Sequence, residues 1–96
     1  MKQITVSQIK FLAKLNQKKF RLQEKSVVIE GERLIAQVIT YGYPIEEFYV
    51  NPDRVSEEKI AELSKHVKEI YSIDETQLQR ISDTQTPQGI AALVKI

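Results

Sequence analysis

The sequence of 96 residues contains no cysteine, one histidine and only three glycines, and these scarcities exclude several kinds of active site. Without cysteine there is no disulfide framework, no thiolate nucleophile and no cysteine metal site, which fits a reducing cytoplasm. The glycines are too scattered for a dinucleotide-binding or phosphate-cradling loop. His66 stands near the end of a predicted helix, where a surface position is expected rather than a general base. We therefore expect no catalytic residues and no metal site in this chain.

Long apolar runs are also missing from the sequence. No stretch approaches the ~20 apolar residues that cross a bilayer, and the first residues lack the apolar core of a signal peptide. The composition, 42% apolar and 28% charged, is ordinary for a globular protein. The length suits one domain with its own core. We expect a single domain over residues 1–96, in the cytoplasm and without a membrane partner.

Charge is unevenly distributed, although the net charge is only +1. Residues 1–25, here called the basic arm, hold seven Lys or Arg and one Glu, whereas residues 26–96 hold seven cations and twelve anions. Within the arm, "KKFR" places Phe20 between Lys19 and Arg21. Cations contact RNA phosphates and an aromatic ring can stack on an unpaired base. The alternative is that Phe20 packs against the sheet and the cations form a solvated face.

Helix and strand signals alternate along the chain. The first helix is predicted to begin after Ser7 as its N-cap, and the sequence leaves its end open. If it reaches Arg21, then Lys10, Lys14, Lys18 and Arg21 form one cationic ridge; if it stops near Asn16, "QKKFRLQEK" is a basic loop. Further helices are predicted at "ERLIAQVIT", after Ser56 and after Asp74, and strands at "SVVIE", "IEEFYV", "EIYSI" and "IAALV". The pattern predicts a three-layer α/β/α sandwich with a four-stranded, largely parallel or mixed sheet.

Two further segments are candidates for binding. In "EGER", Gly31 lies between a strand and a helix, where backbone N–H groups can receive a phosphate, and Arg33 adds a donor. The alternative is a tight turn that requires glycine, and Glu30 is awkward for simple anion binding. The octapeptide "SDTQTPQG" (82–89) offers hydroxyls and amides for sugar and phosphate oxygens, and Gly89 permits close approach. The alternative is an ordinary surface loop.

Together these segments resemble a known family. "IKFLAKLNQKKFRLQEKSVVIEGERLIAQVITYG", "IEEFYV" and "ISDTQTPQGIAALV" are similar to the substrate-binding domain that precedes the catalytic domain in SpoU/TrmH-family RNA 2′-O-ribose methyltransferases, from about Ser7 to Val94. The resemblance implies a fold like that of the kink-turn-binding ribosomal proteins. It also implies a structured RNA partner, commonly ribosomal, and a C-terminal methyltransferase domain in a homodimeric parent protein.

The resemblance also assigns candidate residues and cofactors. Its first motif contains Lys18, Lys19, Arg21, Glu30, Gly31 and Arg33, and its last contains Ser82, Asp83, Thr84, Thr86, Pro87, Gln88 and Gly89. The predicted RNA-binding residues are Lys14, Lys18, Lys19, Arg21, Glu30, Gly31, Arg33, Ser82, Thr84, Thr86, Gln88 and Gly89. No cofactor is expected in this chain. S-adenosylmethionine is expected in a catalytic domain beyond Ile96, from which we expect this domain to be excised. Two alternatives stay open: a protein-interaction domain that docks the catalytic domain, and a stand-alone kink-turn-binding protein.

Overall fold

A computed structural model describes residues 1–67, 69–82 and 88–96. Within these ranges the chain forms five strands and five helices. In chain order they are β1 (Lys2–Gln3), α1 (Val6–Lys14), α2 (Lys18–Glu24), β2 (Ser26–Glu30), α3 (Glu32–Tyr41), β3 (Ile45–Val50), α4 (Glu57–Leu63), β4 (Ile70–Ser72), α5 (Glu75–Ile81) and β5 (Ile90–Lys95). None of the helices in the described ranges combines the length and apolar character needed to cross a membrane.

The strands form one mixed sheet in the order β1-β4-β3-β5-β2. β1 and β3 lie parallel to β4, whereas β5 lies antiparallel to both β3 and β2. The α/β class is therefore confirmed, with a mixed sheet. The described part of the chain has five strands rather than the four predicted, because β1 is only two residues long and carries no periodic pattern.

Helices cover both faces of the sheet, which confirms the three-layer sandwich. Successive strand residues point to opposite faces, so Tyr49 and Leu93 pack with α1 and α5, while Phe48 and Ala92 pack with α3 and α4. The three central strands carry most of the fully buried residues. The central strands are therefore held in place by two apolar cores, one on each face of the sheet.

Side-chain caps set the starts of three helices. Ser56 and Asp74 accept N–H bonds from Lys59 and Gln77, which confirms both predicted caps. The predicted cap of α1 is wrong by two residues, because Thr5 rather than Ser7 precedes the helix. The Thr5 hydroxyl accepts the N–H of the residue three positions on, and that residue's side chain accepts the Thr5 N–H, at 3.1 and 2.8 Å. This capping box satisfies two donors that would otherwise lack partners.

The basic segment after α1 follows neither of the two predicted alternatives. α1 ends at Lys14, and "KKFR" begins a separate short helix, α2. The guanidinium Nη1 of Arg21 donates to the carbonyls of Leu15 and Asn16, at 3.0 and 2.8 Å. These bonds close the C-terminal end of α1, where carbonyl groups lack helical partners. The predicted continuous cationic ridge is therefore replaced by two helices joined through Arg21.

Candidate nucleic-acid interface

The site lies at the end of the strands where β2 and β3 finish and β5 begins. This end of the sheet is here called the site edge, as distinct from the outer side of the edge strand β2. Because β5 runs antiparallel to both neighbours, its first residues lie beside the last residues of β2 and β3. The Gly31 N–H donates to the Ile90 carbonyl at 3.0 Å, and the Asn51 N–H donates to the Gly89 carbonyl at 2.8 Å. The fold thus joins the "EGER" segment to the end of the octapeptide.

Glu30 and Gly31 hold Gln88 in place. The Gln88 N–H donates to the Glu30 carboxylate at 3.2 Å across a sequence separation of 58 residues. The Gln88 side chain lies against Gly31, since a Cβ built on Gly31 would be 2.9 Å from Oε1 of Gln88. Gly31 also has a φ of +96°, which residues with a Cβ rarely adopt. The Glu30 carboxylate thus has a role that the sequence did not indicate: it positions Gln88 just before β5.

A third segment at the site edge was not identified from the sequence as part of the site. This segment is the turn that follows β3, and it packs on Gly89: a Cβ built on Gly89 would lie 2.9 Å from Cβ of Arg54. The Arg54 guanidinium forms an ion pair with the Glu75 carboxylate at the start of α5. Buried Asn51 accepts the Asp53 N–H through its side-chain oxygen at 3.0 Å. No spacing in the sequence indicates that this turn meets the octapeptide.

Phe20 in the basic arm is part of the packing rather than an open stacking platform. It is half-buried against the core cluster on the α1 and α5 side of the sheet. The ammonium groups of Lys14 and Lys19 lie 5.3 and 5.2 Å from the centre of its ring. Lys14 also lies 5.3 Å from the Phe11 ring and 3.5 Å from the Glu24 carboxylate. This geometry matches the alternative in which Phe20 packs against the sheet, and it does not support stacking of the Phe20 ring on an RNA base.

Nine of the twelve predicted site residues fall into two groups. The structure brings Glu30, Gly31, Gln88 and Gly89 together at the site edge, with exposed Arg33 on the first turn of α3. The second group consists of the arm residues Lys14, Lys18, Lys19 and Arg21. The chain connects the two groups directly, because α2 leads into β2, which ends at the site edge.

The octapeptide is described only at its two ends. Ser82 closes α5, where its N–H donates to the Leu78 carbonyl at 2.9 Å, and Gln88 and Gly89 lead into β5. The predicted residues Thr84 and Thr86 lie outside the described residues, as do Asp83 and Pro87. The predictions for these positions therefore stay predictions.

The chemistry available at the site edge is that of hydrogen-bond donation and charge. Arg33 supplies a guanidinium, Gln88 an amide, and the start of α3 its N–H groups and positive dipole end, all of which suit phosphate and ribose oxygens. Among the described residues, no group of His, Asp or Glu side chains is arranged to hold a metal ion. The strongest pKa perturbation is elsewhere: burial, then the hydrogen bond to Glu47 at 2.6 Å, raises the pKa of Tyr49.

Comparison with known proteins identifies similar chains. Residues 7–92 match the family described as the MRM3-like substrate binding domain. A solved RNA 2′-O ribose methyltransferase is 26% identical with a TM-score of 0.82, over 99% of this chain and 37% of that chain. A protein assigned to the TrmH family of RNA methyltransferases, from Porphyromonas gingivalis, is 24% identical with a TM-score of 0.71, over 97% and 36%.

A third solved structure, the AdoMet-bound rRNA methyltransferase from Sinorhizobium meliloti, shares the fold at 21% identity and a TM-score of 0.74, over 99% of this chain and 35% of that chain. This chain therefore spans little more than a third of the length of these three proteins. No curated protein matches it in sequence. None of the likenesses favours a docking domain or a stand-alone kink-turn-binding protein.

Proposed function

The chain belongs to the MRM3-like substrate binding domain family, as its resemblance to SpoU/TrmH methyltransferases predicted, and we propose that it binds structured ribosomal RNA for a methyltransferase. In this proposal a C-terminal catalytic domain binds S-adenosylmethionine and methylates a ribose 2′-hydroxyl. The parent protein is a cytoplasmic homodimer. Two of the similar structures, named as an RNA 2′-O ribose methyltransferase and an AdoMet-bound rRNA methyltransferase, support this proposal.

The observation that carries the proposal is the meeting of Gly31 and Gln88 at the site edge. Two segments far apart in sequence meet there, beside the exposed Arg33 guanidinium and the start of a ten-residue helix. The main chain at this meeting point is fixed by the Gly31 bond to β5 and by the Gln88 bond to the Glu30 carboxylate. Donors carried on such a frame can contact the phosphates and sugars of an RNA backbone, contacts that orient the RNA without reading its sequence.

The basic arm supplies the electrostatic part of the interaction. Lys18 and Lys19 are exposed on α2, so they attract a polyanion even though the whole chain has a net charge of only +1. Arg21 contributes mainly by closing α1, because one of its guanidinium nitrogens donates to two carbonyls. Lys18 and Arg33 are therefore better probes of phosphate contact than Arg21, whose loss also disturbs the fold.

RNA affinity measured against salt tests this function. We expect Lys18→Glu and Arg33→Glu to weaken binding to a ribosomal RNA hairpin and to lower the log–log salt slope by up to ~0.9 for each phosphate that the variant no longer neutralises. Lys65→Glu is the matched control, since Lys65 is an exposed residue after α4, beside a pocket lined by the start of β3 at the opposite edge of the sheet. Equal affinity of all three variants would contradict the proposal.

A further inference from the structure

β2 is an edge strand of the sheet and, in the described part of the chain, pairs only with β5. The Lys25 carbonyl accepts the Ile96 N–H at 2.9 Å, and the Gly31 N–H donates to the Ile90 carbonyl at 3.0 Å, so main-chain groups at both ends of β2 face β5. In an antiparallel ladder, every second residue of a strand directs its N–H and C=O groups to the neighbouring strand, and the residues between them direct these groups to the other side. The main-chain groups of Ser26 and Val28 therefore face the outer side, where another strand can pair with them.

An apolar stripe on α3 flanks this outer side. Leu34, Val38 and Tyr41, here called the α3 stripe, recur at helical spacing on one side of the helix. Leu34 is 44% exposed and Tyr41 is 77% exposed. The other side of α3 is turned toward α4, because Ala36 and Thr40 line a groove of about 230 Å³ shared with that helix. Since α3 packs over β2 and β5, its stripe lies on the side of the open strand edge.

We propose that this edge pairs with the same edge of a second copy of the chain, with β2 antiparallel to β2 around a two-fold axis at Val28. The lengths of the elements agree with such an axis. β2 spans ~17 Å and α3 spans ~15 Å, and α3 runs back along β2 from Gly31. The middle of the helix therefore lies over the middle of the strand. The axis that places Val28 opposite Val28 also places Leu34 of one copy beside Tyr41 of the other.

The charges at the two ends of β2 are complementary in this arrangement. Exposed Lys25 precedes the strand and exposed Glu32 follows it. Antiparallel pairing about Val28 brings Lys25 opposite Gly31 of the second copy, next to its Glu32, and the symmetry repeats the contact. A parallel arrangement would instead bring Lys25 against Lys25. Glu32 lies 3.7 Å from Lys59 in the single chain, an exposed pair that leaves it available to a second cation.

Sedimentation equilibrium over a wide range of concentrations tests the pairing. We expect a species of twice 11.1 kDa at high concentration, and Tyr41→Glu should return it to the single-chain mass. Val6→Glu is the matched control, because Val6 is also a strongly exposed apolar residue and lies on the helix layer of the opposite face. Lys25→Glu should weaken association at least tenfold, and combining it with Glu32→Lys should restore it.

Amide hydrogen exchange provides a readout that needs no variant. The Val28 N–H faces outward in the single chain, so it should exchange quickly at low concentration and become protected as the second copy binds. A single-chain mass at every concentration overturns the proposal. So does a dimer that Tyr41→Glu and Val6→Glu affect equally, since its interface would lie elsewhere. RNA is absent from both measurements, so their outcome is independent of the proposed RNA-binding function.

Discussion

Replacing Gly31 with alanine tests how the site edge is built. Gly31 has φ +96° and ψ 145°, and a residue with a Cβ held in such a sparsely populated region costs ~1–3 kcal/mol. The new methyl group would also lie 2.9 Å from Oε1 of Gln88. That oxygen is the far end of a flexible side chain, so it can move aside at small cost, but it then leaves the site edge. We expect Gly31→Ala to lose stability mainly through its backbone.

Thermal unfolding followed by circular dichroism measures this loss. In a domain of this size, each kcal/mol lowers the Tm by roughly 4–8 °C. Gly42→Ala is the control, because Gly42 also has a positive φ, +78°, but no atom lies within 4 Å of a Cβ built there. Both variants should be destabilised, and only Gly31→Ala should also weaken RNA binding by displacing Gln88. An unchanged Tm for Gly31→Ala would show that the backbone at Gly31 is not strained by a Cβ, and equal RNA affinity of the two variants would show that Gln88 does not contribute to binding.

Three further predictions concern the fold around the site. Arg21→Ala should cost ~1.5–3 kcal/mol in urea denaturation, because it removes charge-assisted bonds to the end of α1; Lys18→Ala, on the same helix, should cost little. Asp74→Ala should cost ~0.5–2 kcal/mol through loss of the α5 cap, and Asp74→Asn should retain most of that stability. Tyr49 should stay protonated when exposed tyrosines ionise, as absorbance titration can show, because its pKa is raised by burial and then by Glu47. In the unfolded chain a tyrosine side chain ionises near pH ~10. The free energy of unfolding that depends on protonated Tyr49 is therefore complete below that pH and declines above it. Tyr49→Phe should remove this decline.

The parts of the fold that local signals determine were predicted from the sequence. β2 and β3 have the predicted bounds, because each is a short apolar run between turn residues. Ser56 and Asp74 cap their helices through bonds to residues three positions away. α2 was not predicted as a separate helix, because it contains no buried residue and its N-cap, Gln17, makes no side-chain capping bond. Neither apolar periodicity nor a cap could mark it.

The candidate site could be predicted in parts but not in its assembly. Turn residues and donors pointed to "EGER" and the octapeptide separately, and their meeting depends on the order and direction of the strands. β5 runs antiparallel to both neighbours, which an alternation of helices and strands does not specify. The contact of Arg54 with Gly89 depends on the same arrangement. The role of Glu30 follows only once Gln88 is beside it.

Chemical-shift mapping of the chain during titration with a structured ribosomal RNA fragment shows whether RNA binds at the site edge. We predict that the amides of Gly31, Arg33, Gln88 and Gly89 shift together, with smaller changes at Lys18 and Lys19. Amides near Lys65, at the opposite edge of the sheet, should stay unchanged. Shifts confined to that opposite edge, or no shifts at all with RNA in excess, would exclude the site edge as the RNA-binding surface.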